Sequence, residues 1–324
     1  MNDLSKKPAS RDEVDEAGHD QRIDNYLAKR LKGVPKSLIY RMLRTGEVRV
    51  NSRRVDPGYR LQAGDVVRIP PIRQGQRPAS APVGGGPDLW QRVLYEDETV
   101  VAIDKPAGLA VHGGSGVSLG AIEALRCRRP ELRFLELVHR LDKETSGVLL
   151  LAKKRAALTA LHEQLRSGEV EKDYLALAKG RWRWRERRVL LPLNKYVTST
   201  GERRVSVAEG GRISETRFTL EKAWDMASLL CARLLTGRTH QIRVHLAHLG
   251  HPIAGDDKYG DFAWNRDLAR AGLKRMFLHA FRLEFRHPSS GKRLTIESPL
   301  PKELADFLRL LQEGVAPGSG SRHD

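Results

Sequence analysis

Between residues 23 and 43 apolar side chains recur every three to four positions; further along they gather into shorter, denser runs. Ile23, Leu27 and Leu31 predict a helix running to a Gly33 stop, and Leu38, Ile39, Met42 and Leu43 predict a second, closed by Gly46. Val48 and Val50 then alternate with charged residues, and LQAGDVVRIP predicts a turn and a strand. From Val93 the period changes. RVLYEDETVVAIDKP predicts two short strands joined through acidic turn residues, and SGVLLLAK a buried strand. RAALTALHEQLRSG predicts a helix with Leu158, Leu161 and Leu165 on one face and a Ser-Gly stop. KDYLALAKG, TRFTLEKAW and MASLLCARLL read as further strands. In THQIRVHLAHLGHP, Thr239 is the expected N-cap, Ile242, Leu246 and Leu249 share a helical face, and Gly250 with Pro252 ends the helix. Strands outnumber helices and come in neighbouring runs rather than in β-α-β alternation, so the fold class expected is α+β with a mainly antiparallel sheet.

The pattern divides the chain. Residues 1–17 are polar, mixed in charge and without periodicity, and read as a disordered leader. Residues 18–72 form a small patterned unit, 73–92 a Pro/Gly/Ala/Ser-rich flexible linker, 93–311 a large domain and 312–324 a loose tail. The two cysteines, Cys127 and Cys231, lie far apart without metal-ligand spacing and read as small buried thiols. The N-terminus has no apolar segment of signal-peptide type, and no window approaches the roughly 18 apolar residues of a membrane span, so a cytoplasmic protein is expected.

Charge changes the picture more than composition does. Lys and Arg number 57 against 40 acids, a net charge of +17. A polyanionic partner accounts for that excess, because each neutralised phosphate releases condensed counterions. In the small unit Lys29, Arg30, Lys32, Lys36, Arg41, Arg44, Arg49, Arg53 and Arg54 are interleaved with few acids, which points to a phosphate-contacting surface. RWRWRERR at 181–188 interleaves aromatics with cations and suits either stacking on nucleic acid or a strand edge defended by charge.

Within the apolar segment VHRLDKETSGVLLLAK the carboxylate of Asp142 requires a cationic partner. His139 and Arg140 are close in sequence, but adjacent side chains of an extended segment point to opposite faces. Arg243, beside the apolar stripe of the Thr239 helix, is the candidate. His240, His245, His248 and His251 lack a supporting Cys, Asp or Glu pattern, so no metal site is assigned.

Residues 20–70, with RIDNYL, PKSLIYRMLRTGEVRVN and AGDVV in that order, resemble the α-L RNA-binding domain. HRLDKETSGVLLLAK, KDYLALAKG, GRTHQIRVHLAHLGHPIAGDDKYG and MFLHAFRLEFRHP follow the order typical of the RluA family of RNA pseudouridine synthases, and VHGGSG after DKPAGLA is similar to the RluC type within it. The resemblance implies a pseudouridine-synthase sheet core and an essential catalytic Asp142 paired with Arg243. It implies that Tyr174 stacks on the target base beside apolar Leu278, and that Arg140 fills the gap left by a flipped nucleotide. RNA contacts are expected from Lys36, Arg41, Arg44, Arg53 and Arg54. The implied substrate is 23S ribosomal RNA, free or in early assembly intermediates, with no cofactor, metal or obligate protein partner. A transfer-RNA synthase of the same family and a non-catalytic ribosome-assembly factor are the alternatives.

Overall fold

The computed structural model describes residues 9–31, 34, 36–72, 86–113 and 119–314. They fall into two units divided between Gly85 and Gly86. The Gly33 stop and the second half of the Gly-rich VHGGSG segment, residues 114–116, lie outside the described residues.

In the first unit, helices α1 (Ile23–Arg30) and α2 (Lys36–Thr45) pack on a three-stranded antiparallel sheet of β1 (Ser10–Glu13), β2 (Arg49–Val50) and β3 (Val66–Ile69), ordered β1-β3-β2. The predicted apolar positions Ile23, Leu27, Leu31, Ile39, Met42, Leu43, Val48 and Val50 all enter its core. Asp24 ties the helices together: Tyr40 Oη donates to its carboxylate at 2.7 Å and Arg22 Nη2 at 2.8 Å. Strand β1 corrects the leader expected over residues 1–17. Ser10–Glu13 pair with Val66–Ile69, and Val14 N–H continues the contact to Asp65 C=O at 2.8 Å. This strand pairs with the sheet through main-chain hydrogen bonds, and the one buried apolar side chain beside it is Val14, so it carries no apolar alternation to read.

The second unit is built on an 11-stranded sheet. Its strands are β4 (Val93–Glu96), β5 (Val100–Lys105), β6 (Glu136–Leu137), β7 (Ser146–Ala152), β8 (Glu171–Lys179), β9 (Glu186–Val197), β10 (Arg203–Val207), β11 (Arg212–Ala223), β12 (Ala227–Leu234), β13 (Leu278–Arg286) and β14 (Arg293–Glu297). The order is β10-β9-β11-β12-β8-β13-β7-β5-β4, with β14 on β13 and β6 on β7. Every pairing is antiparallel except β13 with β7. The α+β, mainly antiparallel expectation therefore holds. The helices are α3 (Ala121–Arg128), α4 (Arg155–Ser167), α5 (Gln241–His248), α6 (Phe262–Arg270) and α7 (Lys302–Gln312).

Period-2 alternation sorts the strands between two faces. Val101, Ile103, Leu149, Leu151, Tyr174, Ala176, Leu278 and Ala280 share a core with α3 and α5, while Val100, Ala102, Val148 and Leu150 pack with α4 on the other face. Where β7 runs beside β13, a Cβ on Gly147 would lie 2.1 Å from Ala280 O, so only glycine permits that parallel contact. Beside it Ser146 Oγ bonds His279 Nδ1 at 2.9 Å, and His279 Nε2 reaches Ser298 C=O at 3.1 Å.

The linker expected to end at residue 92 is shorter. Asp88 caps a turn over Leu89–Arg92, Leu89 is buried, and Trp90 Nε1 donates to Leu125 C=O at 3.0 Å. Two apolar residues among Pro and Gly are enough to seat this segment on α3. The cysteines differ from expectation as well. Cys127 is exposed at the end of α3, and Cys231 is partly buried, with its thiol pushed up to about 12 by burial.

Helix α5 is fastened by His245, which is fully buried and bonds Ser214 Oγ at 2.8 Å through Nε2. Ser214 Oγ donates to Leu191 C=O, so Nε2 carries the proton and the ring is neutral. Burial pushes its pKa down to about 4. Between about pH 6.5 and pH 4 the unfolded chain takes up a proton here that the native protein does not. Stability is therefore expected to fall as pH drops through that window, by up to about 3 kcal/mol from this residue. Urea unfolding of wild type and His245→Gln at pH 7, 6 and 5 checks it: the difference in stability between the two should shrink or reverse toward pH 5.

Candidate active site

Asp142 lies in the connection between β6 and β7, just before a turn over Lys143 and Glu144, with its main-chain carbonyl accepting from Thr145 N–H at 3.1 Å. Lys105, at the end of β5, secures that turn. Its ammonium is fully buried and donates to the carbonyls of Pro106 at 2.9 Å, Leu109 at 2.8 Å and Lys143 at 3.2 Å. All three of its donors are used in stitching two loops together, while burial pushes its pKa down to about 7. A single lysine before a proline carries no sequence signal for this role.

The partner of Asp142 arrives from α5. Arg243 Nη1 stands 3.6 Å from Asp142 Oδ2. Its strongest bonds go elsewhere: Nε and Nη2 grip Asp256 Oδ2 and Oδ1, each at 2.7 Å, and Nη2 reaches Asp257 at 3.2 Å. Arg243 is 2% exposed and Asp256 fully buried. Burial alone would raise the Asp256 carboxyl, but Arg243 and the N–H groups of Lys258 and Tyr259 hold it below the usual carboxylate range. For Arg243 burial works against the charge and the surrounding carboxylates overcome it, so its pKa lies above the ordinary value. The GDDKYG segment is thus the cradle of the arginine, a role the sequence analysis did not assign.

The predicted Thr239 cap is replaced by a different device. The helix begins at Gln241, and His240 precedes it in the left-handed region, φ 54°. Gln241 uses its whole amide: Nε2 donates to Glu215 C=O and Thr216 Oγ1, and Oε1 accepts from Arg238 N–H and Thr236 Oγ1. That anchor turns His240 so that Nδ1 meets Tyr259 Oη at 2.8 Å and Nε2 lies 3.9 Å from Asp142 Oδ2. Tyr259 Oη, itself accepting from Val205 N–H, holds the ring by its Nδ1 edge and leaves Nε2 facing Asp142. Burial is the main influence lowering the His240 pKa, aided by the Arg243 charge and opposed by Asp142.

Tyr174 comes from β8, the strand between β12 and β13. Its cross-strand neighbours are Ala232 and Ala280, which leave room for the ring. Asp173, on the opposite face, locks the three strands through a bidentate bond from Arg233 at 2.7 and 2.9 Å and an ion pair with Arg282 at 3.1 Å. Burial first, and the Asp142 charge second, raise the Tyr174 phenol above its ordinary value. Asp142, Arg140, Tyr174, Arg243 and Leu278 all line one cavity of about 340 Å3, together with Lys172, His240 and Arg166. Arg140 is exposed and Leu278 is buried.

In the first unit Arg41, Arg44, Arg53 and Arg54 are exposed, and the last three line a separate hollow. None of the four has an acidic partner among the described residues. Arg30, by contrast, pairs with Asp12 at 3.1 Å, Arg49 bonds Gly46 C=O, and the side chain of Lys36 and all of Lys32 lie outside the described residues. In RWRWRERR, Trp182 is buried against Phe218 and His251, whereas Trp184 is exposed with Arg187 stacked 4.0 Å from its ring centroid. The following residues Glu186–Leu193 pair with β11 and only Leu193–Val197 with β10.

A mainly antiparallel sheet with a carboxylate, an arginine and an aromatic ring round one cleft defines a class, and the comparisons agree. The family model described as RNA pseudouridylate synthase matches residues 99–248, and that of the S4 domain matches 21–67. The chain belongs to the RNA pseudouridine synthase family. It is 55% identical to "Ribosomal large subunit pseudouridine synthase C" of Pasteurella multocida, over 92% of this chain and 92% of that protein. It is 53% identical to the protein of the same name from Escherichia coli, over 92% of this chain and 95% of that one. Among solved structures it is similar to Human RNA Pseudouridylate Synthase Domain Containing 4, with TM-score 0.57 and 25% identity over 69% of this chain and 94% of that one.

The cradle makes a direct prediction. Asp256→Asn should destabilise the protein by roughly 3 kcal/mol, because it leaves a buried guanidinium short of charge. Asp257→Asn removes a carboxylate that is 64% exposed and should change stability by less than about 1 kcal/mol. Urea unfolding of both variants measures the contrast.

Proposed function

We propose that this protein converts selected uridines of large-subunit, 23S ribosomal RNA to pseudouridine in the cytoplasm, acting on RNA that is free or in early assembly intermediates. The observation that carries the reading is the meeting of Asp142, Arg243, Tyr174 and Leu278 round one cavity. The near full-length similarity to proteins bearing the large-subunit name supports the choice of RNA.

The reaction breaks the N1–C1′ bond of uridine and joins C5 to C1′; the proton on C5 leaves and N1 gains one. Nothing is oxidised, so no cofactor enters the scheme. In this reading Asp142 is the catalytic carboxylate, acting as nucleophile or as base toward the sugar. Arg243 balances its charge in a site that excludes water, where an unpaired carboxylate is costly. The target nucleotide leaves its stack at a cost of a few kcal/mol. Tyr174 stacks on the base and returns roughly 1–3 kcal/mol, Leu278 closes the apolar side, and Arg140 takes the space the nucleotide vacates. The detached base is held against the tyrosine while it turns to present C5. Arg41, Arg44, Arg53 and Arg54, with Lys36, hold the phosphates of the surrounding RNA.

Two experiments test this reading. Asp142→Asn should bind unmodified ribosomal RNA as wild type does and yield no pseudouridine when the product is mapped by site. Product formed on transfer RNA and not on ribosomal RNA by the wild type would replace the substrate, and equal silence of both proteins on both RNAs would favour a non-catalytic assembly factor. Combined replacement of Arg44, Arg53 and Arg54 by alanine should weaken RNA affinity and flatten the slope of log K against log salt by about 2, with the single-turnover rate on bound RNA retained.

A further inference from the structure

The cavity contains one nearly buried cation for which no described residue supplies a counter-ion. Lys172 is two residues before Tyr174 on β8, so the two side chains leave the same face of the sheet about 7 Å apart along the strand. It is 9% exposed and lines the cavity. No described residue makes a hydrogen bond or ion pair with its ammonium. The other cations of the lining have answers: Arg243 has Asp256, Arg166 has Glu163, Arg238 has the carbonyl of Ile213, and Arg140 is exposed to solvent. His139, the neighbouring titratable group, cannot serve Lys172 as a counter-ion. It is neutral, with its pKa pushed down to about 4 by burial and by the Lys172 charge, and its Nε2 accepts from Leu150 N–H at 3.2 Å.

An ammonium held in a largely buried position, open only to the cavity and without a protein acceptor, is costly to keep charged, and burial lowers its pKa from the ordinary value. Apolar residues of similar length would fill the place better, which makes a ligand the natural source of the missing acceptors. We infer that Lys172 binds a backbone phosphate of the RNA, one of the two flanking the flipped uridine, and so sets the depth at which the base meets Tyr174. A nucleotide spans a comparable distance from base to phosphate, so a ring stacked on Tyr174 carries its own phosphate to Lys172. The inference rests on the flipped uridine occupying this cavity; it adds the group that positions the nucleotide's anionic side, as Leu278 does its apolar side.

The test uses Lys172→Met, which keeps length and removes charge, and a ribosomal RNA fragment that the wild-type full-length protein converts. The fragment is also prepared with an uncharged methylphosphonate replacing the phosphate 5′ or 3′ of the target uridine. Conversion of the unmodified fragment by wild type checks the assigned reaction independently. On that fragment the variant should lose roughly 10- to 100-fold in kcat/KM, the range for a charge-assisted hydrogen bond. Its thermal midpoint should be no lower than that of wild type. With one of the two methylphosphonates, wild type should fall to a similar level and the variant should fall little further, which identifies the phosphate bound. A penalty for Lys172→Met that persists undiminished on both methylphosphonate RNAs, or a variant as active as wild type on the unmodified RNA, would overturn the inference.

Discussion

The guanidinium of Arg243 is shared unequally among three carboxylates, and the geometry of the cleft depends on that inequality. Two 2.7 Å bonds bind it to Asp256, while Asp142 receives only a longer contact of 3.6 Å. A bidentate pair fixes both position and plane of the arginine. Asp142 is thereby offered positive charge without being consumed by a tight salt bridge, and its second oxygen remains open to the cavity. Had Asp142 been the sole partner, the pair would have closed on itself and blocked the space a nucleotide needs.

Several supports converge on the same small volume. Gln241 anchors the start of α5, Tyr259 aims His240, and Lys105 stitches the turn after Asp142 to the loop following β5. On the far side, Asp173 and its two arginines hold together the central strands from which Tyr174 rises between two alanines. Lys105, Gln241 and Asp173 are buried polar groups held by hydrogen bonds, an arrangement that stiffens its surroundings rather than adding much net stability. The consequence is a rigid carboxylate and a rigid ring facing a cavity whose lining is otherwise rich in cations.

Charge is divided between two tasks. Inside the cleft the buried guanidinium of Arg243 is paired and sets geometry, while Lys172 has no partner among the described residues. On the first unit Arg41, Arg44, Arg53 and Arg54 are exposed and lack acidic partners among the described residues, which suits salt-sensitive attraction to a polyanion. A net charge of +17 thus reflects a surface property, whereas the cleft is governed by individual contacts.

The sequence by itself determined what periodicity and composition encode. The helix of Ile23 and Leu27, the buried strand Ser146–Ala152, the α4 stop at Gly168 and the antiparallel character of the sheet were legible because each rests on local apolar spacing or on a glycine in its turn. Strand β1 was not, since its pairing uses main-chain groups and leaves no side-chain signature. In the cleft, Asp142, Arg243, Tyr174 and Leu278 were named from motif order. Nothing in that order showed that Asp256 holds the arginine, that Tyr259 orients His240, or that Lys105 spends its three protons on carbonyls. Those facts join segments as much as 38 residues apart through a fold that must close first. Only the tertiary structure decides them, because the energy of a buried charge depends on which groups surround it in space and not on which precede it in the chain.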